Sequence, residues 1–202
     1  FPVRLVVSLT TTQVPELTTE QIAALSPTQF GALETSDLAA LGTAQIAAIT
    51  TEQAAALSAL RVSSLTTAQV AAIETTDFAV LSPGQMRGLN TADIAALSTE
   101  QIAVISSTNL VGLYATQMAA MSTEQVAALT TEAMGVLIAS QMTALDSAQI
   151  NALTTAQVAV ITPTAFRGIE TRDVDALTTA QVVALDSNQL GLLTAAQVGI
   201  LN

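Results

Sequence analysis

Leu17-Thr18-Thr19-Glu20-Gln21-Ile22-Ala23-Ala24 is one copy of a unit that fills the chain. Its leading aliphatic residue returns every eight positions from Leu9 to Leu201, so residues 9–200 divide into 24 octads. Octad 1 is 9–16, octad 24 is 193–200, and position 1 of each is the aliphatic residue. A fixed short period is the signature of a stacked array in which each unit contacts only near neighbours. The 202 residues therefore read as a leader or cap segment, 1–8, followed by an octapeptide-repeat solenoid, 9–202.

Two positions define the core. Position 1 is Leu, Ile or Met throughout, and position 6 (Val14, Ile22, Phe30, Leu38 and onward to Val198) is apolar in all 24 octads. In a strand these two positions have opposite parity and point to opposite faces. In a helix, position 6 and the next position 1 are i and i+3 and share a face. Capping chemistry agrees: position 2 is Ser, Thr, Asn or Asp in 18 octads and position 5 is Gln in 16, the Ser/Thr-x-x-Gln pattern of a capping box. Pro27, Pro83 and Pro163 all occupy position 3, the first helical residue, where a missing N–H costs nothing. Eight residues overshoot two helical turns by about 80°, so an unbroken helix would wind the Leu row around its surface. The helix must stop and restart in every octad. The expected fold is an all-α solenoid, a superhelix of about 24 consecutive short capped helices. A β-solenoid with stacked Thr ladders is the alternative, opposed by Ala and Gln in the interior positions and by the proline register.

Positions 4 and 7 accept many residue types and are expected to face water. Position 8 is usually Ala, but swells to Val80, Val104 and Val160 where the next octad carries Gly88, Gly112 and Gly168. This reads as size compensation between successive helices.

Composition removes whole chemistries. The chain has no Cys, His, Trp or Lys, so it lacks disulfides, thiolate ligands, the usual metal ligand and the usual general base. A net charge of −11 with five Arg argues against nucleic acid, whose phosphates demand clustered cations. Every octad is interrupted by Thr, Ser, Gln or Asp, so no membrane span is expected. No Ser-His-Asp set or Gly-rich phosphate loop occurs. The expectation is no enzyme, no catalytic, metal or cofactor-binding residue, no cofactor, and a monomeric rod that is part of a longer chain.

Some positions depart from the pattern. Of 16 acidic residues, 14 fall at positions 2, 4 or 5, where negative charge complements the helix dipole. Glu34 and Asp37, Glu74 and Asp77, and Glu170 and Asp173 pair at positions 2 and 5, too few oxygens for calcium, with Asp expected to cap backward. Arg87 and Arg167, at position 7, each precede an acidic octad carrying Asp93 or Glu170 and Asp173, which suggests surface ion pairs. Met86, Met118, Met134 and Met142 at position 6 and Met121 at position 1 are core fillers. Tyr114 and Ile138 displace the capping residue, and Leu60 with Arg61 disturbs 57–64; a kink or contact would sit there.

Leu17-Thr18-Thr19-Glu20-Gln21-Ile22-Ala23-Ala24 resembles the opening helix of transcription-activator-like effector repeats. The likeness covers one helix and lacks that family's base-reading loop and cations, so DNA binding does not transfer. The tandem octads as a whole resemble low-complexity arrays in very large bacterial surface or secreted proteins of adhesin-like or haem-utilisation-like type. That resemblance implies an extracellular or cell-surface location and a structural spacer, stalk or display role in a larger protein. The alternative is a repeat scaffold that binds a protein, glycan or surface through an exposed Thr/Gln/Asp face.

Overall fold

The computed structural model describes residue 6 and residues 8–201, so most of the 1–8 leader lies outside the described residues. Among the described residues there are 23 α-helices of four to six residues, one 3-10 turn at Val14–Glu16, and no strand. Each of octads 2–24 contributes one α-helix, beginning at position 3, and octad 1 has the 3-10 turn at its positions 6–8. Octad 8 is typical: its helix is Thr67–Ala72, its N-cap Thr66 is extended (φ −72°, ψ 155°), and Ile73 leaves it extended again (φ −64°, ψ 126°). Both halves of the capping box are made, Gln69 N to Thr66 Oγ1 at 3.3 Å and Thr66 N to Gln69 Oε1 at 2.7 Å. Pro27, Pro83 and Pro163 are each the first helical residue. The restart in every octad expected from the sequence is therefore what the backbone does, and no residue needs a positive φ to do it.

The contacts divide the chain into two compact units, Phe1–Val104 and Ile105–Asn202. Within each unit a helix packs on the one three octads later: Pro27–Phe30 on Thr51–Ala56 and Thr67–Ala72 on Thr91–Ala96 in the first, Thr123–Ala128 on Ser147–Ala152 and Thr155–Val160 on Thr179–Ala184 in the second. Helices this short are marginal alone, so their stability comes from this stacking. Position 6 is the axis of the core, no more than 1% exposed from Val14 to Val174, and position 1 is buried from Leu33 to Ile169. The five Met are among these core residues. Position 4 is exposed in all 24 octads, and position 7 is exposed or half-buried.

The paired swelling and shrinking at position 8 has a different cause from the one the sequence suggests. Val80 and Val160 are 44% and 38% exposed, so neither presses on the glycine that follows. A Cβ on Gly88 would lie 2.6 Å from Ala59 O, on the helix three octads earlier, and one on Gly168 would collide with Ala139 O in the same relation. The glycines answer a close backbone approach along the stack.

Candidate functional site

A recurrent buried amide dominates the interior. Position 5, expected to act within its own octad, is buried from Gln29 to Gln197 except at half-buried Arg61. Its reach extends well beyond the capping box. Gln69 Nε2 donates to Leu38 O and Leu41 O, each at 2.7 Å, while Oε1 accepts Thr66 N. Gln53 does the same to Ile22 O (2.8 Å) and Leu25 O (2.6 Å), and in the second unit Gln149, Gln157, Gln181 and Gln189 repeat it. The acceptors lie 31 and 28 residues back, at position 6 of one octad and position 1 of the next. Each glutamine thus staples the junction between the octads four and three places earlier, which also sets the superhelical turn within a unit at between three and four octads.

The chemistry selects glutamine. A primary amide has an acceptor and two N–H donors, and all are used on buried backbone groups that would otherwise be unsatisfied. A carboxylate could make the capping bond but would present negative charge to two carbonyl oxygens. Glu, although as good a capping residue, never occupies position 5. Arg61, which the sequence marks as a disturbance, is a substitute staple: its Nε donates to Leu33 O at 2.9 Å, 28 residues back.

Aspartate at position 5 is the exception with consequences. Asp37, Asp77, Asp93 and Asp173 are all buried. Asp93 accepts Asn90 N (2.9 Å) in a capping box and Thr67 Oγ1 (2.8 Å) from three octads earlier; Asp173 accepts Ser147 Oγ (2.8 Å) in the same relation. The backward capping expected of Asp37, Asp77 and Asp173 is absent, and Glu34, Glu74 and Glu170 make no side-chain cap either. A carboxylate on each residue repels the other, and Asp173 turns to Ser147 of the neighbouring stack instead. Burial, and then the charge of the paired glutamate, pushes the carboxyls of Asp37 and Asp77 above the usual range. At position 4 the reverse holds: Glu20, Glu52, Glu100 and Glu124 are pulled below it, first by their own backbone N–H and then by the N-cap hydroxyl.

The cation beside Glu170 and Asp173 is not Arg167. Arg172, from the same octad, reaches Glu170 at 2.9 Å and Asp173 at 3.5 Å, because position 4 lies beside positions 2 and 5 on the first turn whereas position 7 points away. Asp173 Oδ2 is buried without a hydrogen-bond partner. Among the described residues no group of three or more acidic side chains could hold a metal ion, and no helix is long and apolar enough to cross a membrane.

The structure also changes which face can meet a partner. Position 5 glutamine is withdrawn into the core from Gln29 onward, so of the expected Thr/Gln/Asp face the surface there keeps Thr and the Asp outside position 5, such as Asp146, Asp175 and Asp186. What it offers at the two departures from pattern is apolar: Tyr114 is 56% and Ile138 47% exposed, on helices Ala115–Ala119 and Ala139–Thr143 that pack together. Their backbones are ordinary caps without a kink, each held by the glutamine half of the box.

The model of the ALTTAQ repeat matches residues 6–35, 30–67, 70–107 and 166–202. No curated protein matches the chain.

Proposed function

The chain belongs to the ALTTAQ repeat family, and on that footing we propose that it is a structural spacer or display segment of a larger extracellular bacterial protein, without catalysis. The observation that carries this reading is the glutamine staple. The buried polar groups of the array are spent on joining one octad junction to the next, as Gln45, Gln69, Gln157 and Gln181 do. Exposed position 4 varies freely among Glu, Ala, Thr, Ser, Gly, Asn, Leu and Arg, as suits a surface selected for solvation rather than for one ligand. A spacer sets a distance, so adding octads must add length. Small-angle scattering on variants with whole octads added or removed should give a maximum dimension that changes in proportion to octad number; a dimension indifferent to octad number would overturn the reading.

A second reading, a binding scaffold, is favoured by one observation, the exposed Tyr114 and Ile138 at the N-caps of two helices that pack together. Attachment of the parent protein that weakens in Tyr114→Ser and Ile138→Ser variants of unchanged stability would establish it. Attachment that is unchanged would leave the spacer.

A further inference from the structure

We propose that an apolar stripe along one side of the second unit is an interface at which two copies of the chain pair side to side. The proposal rests on the reading of Tyr114 and Ile138 as a contact site and names what they meet. Between residues 105 and 176 the large apolar side chains left exposed are Val111, Tyr114, Val136, Ile138 and Val160. All five sit where octads 13 and 14, 16 and 17, and 19 and 20 join.

These three joins are consecutive layers of one column. Helix Ser107–Gly112 packs on Thr131–Met134, and that helix on Thr155–Val160. Gln141 fastens the first two layers: its Oε1 accepts Ile138 N at 3.2 Å, while its Nε2 donates to Leu110 O at 2.8 Å and to Leu113 O at 3.0 Å, the carbonyls that precede Val111 and Tyr114. Between the second and third layers the backbones touch, since a Cβ on Gly135 would lie 3.6 Å from Val160 O. The stripe exposes roughly 400 Å² of apolar side chain, a size at which the patches that monomers keep are often functional.

The fold alone does not select these residues. The same octad positions at other joins of the unit carry small or polar side chains, as in Ala119, Ala120 and Ser122 or Asn151, Ala152 and Thr154. Tyr114 and Ile138 also forgo the side-chain cap that Ser or Thr would give their helices.

Charge identifies the partner. Glu132 and Arg167 are the only charged residues of the six octads that form the stripe, and they cancel, whereas octads 15, 18 and 21 carry five acidic residues against Arg172. A cationic partner would be drawn to those acidic octads and away from the stripe. Two chains of net charge −11 repel over most of their surface, and the stripe is where they meet without bringing like charges together. What fits a neutral apolar stripe on this chain is the same stripe on a second copy. An interface built from one patch of each copy is isologous and closes at a dimer. Lateral pairing therefore departs from the monomeric rod expected from the sequence.

The test is sedimentation velocity on the intact chain from about 1 μM to about 1 mM, where the mass should rise to twice that of one chain and level there. Salt should strengthen the pairing, because it screens the repulsion between acidic chains and leaves the apolar contact in place. Tyr114→Ser with Ile138→Ser supplies two capping hydroxyls, so helix content by circular dichroism should be kept while pairing weakens at least about tenfold. Leu60→Ser, which removes an exposed apolar side chain of the first unit, should leave pairing unchanged. A chain that is monomeric over the whole range, a mass that climbs past the dimer, or a double variant that pairs like the wild type would overturn the proposal. A monomeric chain whose parent protein still loses attachment through the double variant would remove the second copy as the occupant and leave the contact site standing.

Discussion

A single side chain, glutamine at position 5, does the work of a sheet ladder in this all-helical array. It closes a cap in its own octad and joins two others, so one substitution breaks three hydrogen bonds. Gln69→Glu leaves the cap acceptor in place and removes both donors to Leu38 O and Leu41 O. Unsatisfied buried carbonyls facing a charge should cost about 3 kcal/mol at neutral pH, measured by urea unfolding. Burial raises the new carboxyl above its unfolded value. The deficit is then full above the folded pKa and shrinks as pH falls through it towards the unfolded value of about 4, below which the group is neutral in both states. Asp77 is the natural counterpart. Its carboxyl is raised by burial, then by Glu74 and Glu52, so its charge destabilises the folded state as pH rises through the unfolded value, 3.8. Asp77→Asn should therefore be more stable than wild type at pH 7 and equal to it near pH 3. Asp77→Gln should gain more, because Ile46 O and Ile49 O stand 31 and 28 residues back, the spacing at which glutamine staples. An Asn variant that is less stable at pH 7 would show that the carboxylate is needed.

At the scale of one helix, the restart every octad was legible because its causes are local. Pro27, Pro83 and Pro163 mark the first helical residue, Ser26 and Thr66 the cap, and the phase error of eight residues against the helical repeat forbids continuation. What lay beyond reach was the partner of each helix. Gly88 shows why: in sequence it follows Val80 by one octad, but the atom that excludes its Cβ is Ala59 O, three octads earlier, and periodicity carries no information about which octads meet. The stapling role had a readable trace in the absence of Glu from position 5, since capping alone would admit Glu as readily as Gln. Octad 10 offers a test with two glycines. Gly84 is at exposed position 4, and an added Cβ would meet only Ser82 Oγ, at an unstrained 3.9 Å, so Gly84→Ala should gain about 0.5–1 kcal/mol from helix propensity. Gly88→Ala must push apart two backbones and should lose about 2 kcal/mol or more. Thermal melts of the two variants should move in opposite directions; equal shifts would mean that the stack at Gly88 yields.

Taken as a whole, the array is held by interactions whose sequence separation never needs to exceed a few octads: helices pack three octads apart and staples span 28 and 31 residues. Stability in such a chain is a sum of near-neighbour junctions, and the unit of sequence that can be exchanged is the octad. Removing 41–48 takes out Gln45 with its staples to Val14 O and Leu17 O, yet leaves every remaining residue at its own octad position. The octads on either side then meet at the same spacing as before, with position 6 on the core and Gln53 placed to staple the junction that Gln45 held. That deletion should preserve helix content per residue and cooperative unfolding, with a Tm within about 5 °C of the wild type, as expected for loss of about 1 kcal/mol. Removing 41–44 alone is the smaller change in mass and the larger in structure. It puts Gln45, Gln53 and Gln69 half an octad out of step with Val14 O, Ile22 O and Leu38 O across the cut, while Gln85 and the glutamines after it keep their acceptors. Unfolding should split into separate transitions for the octads on either side, with helix signal lost around the cut. If the four-residue deletion were tolerated as well as the eight, the register of octads would not be what holds the array together.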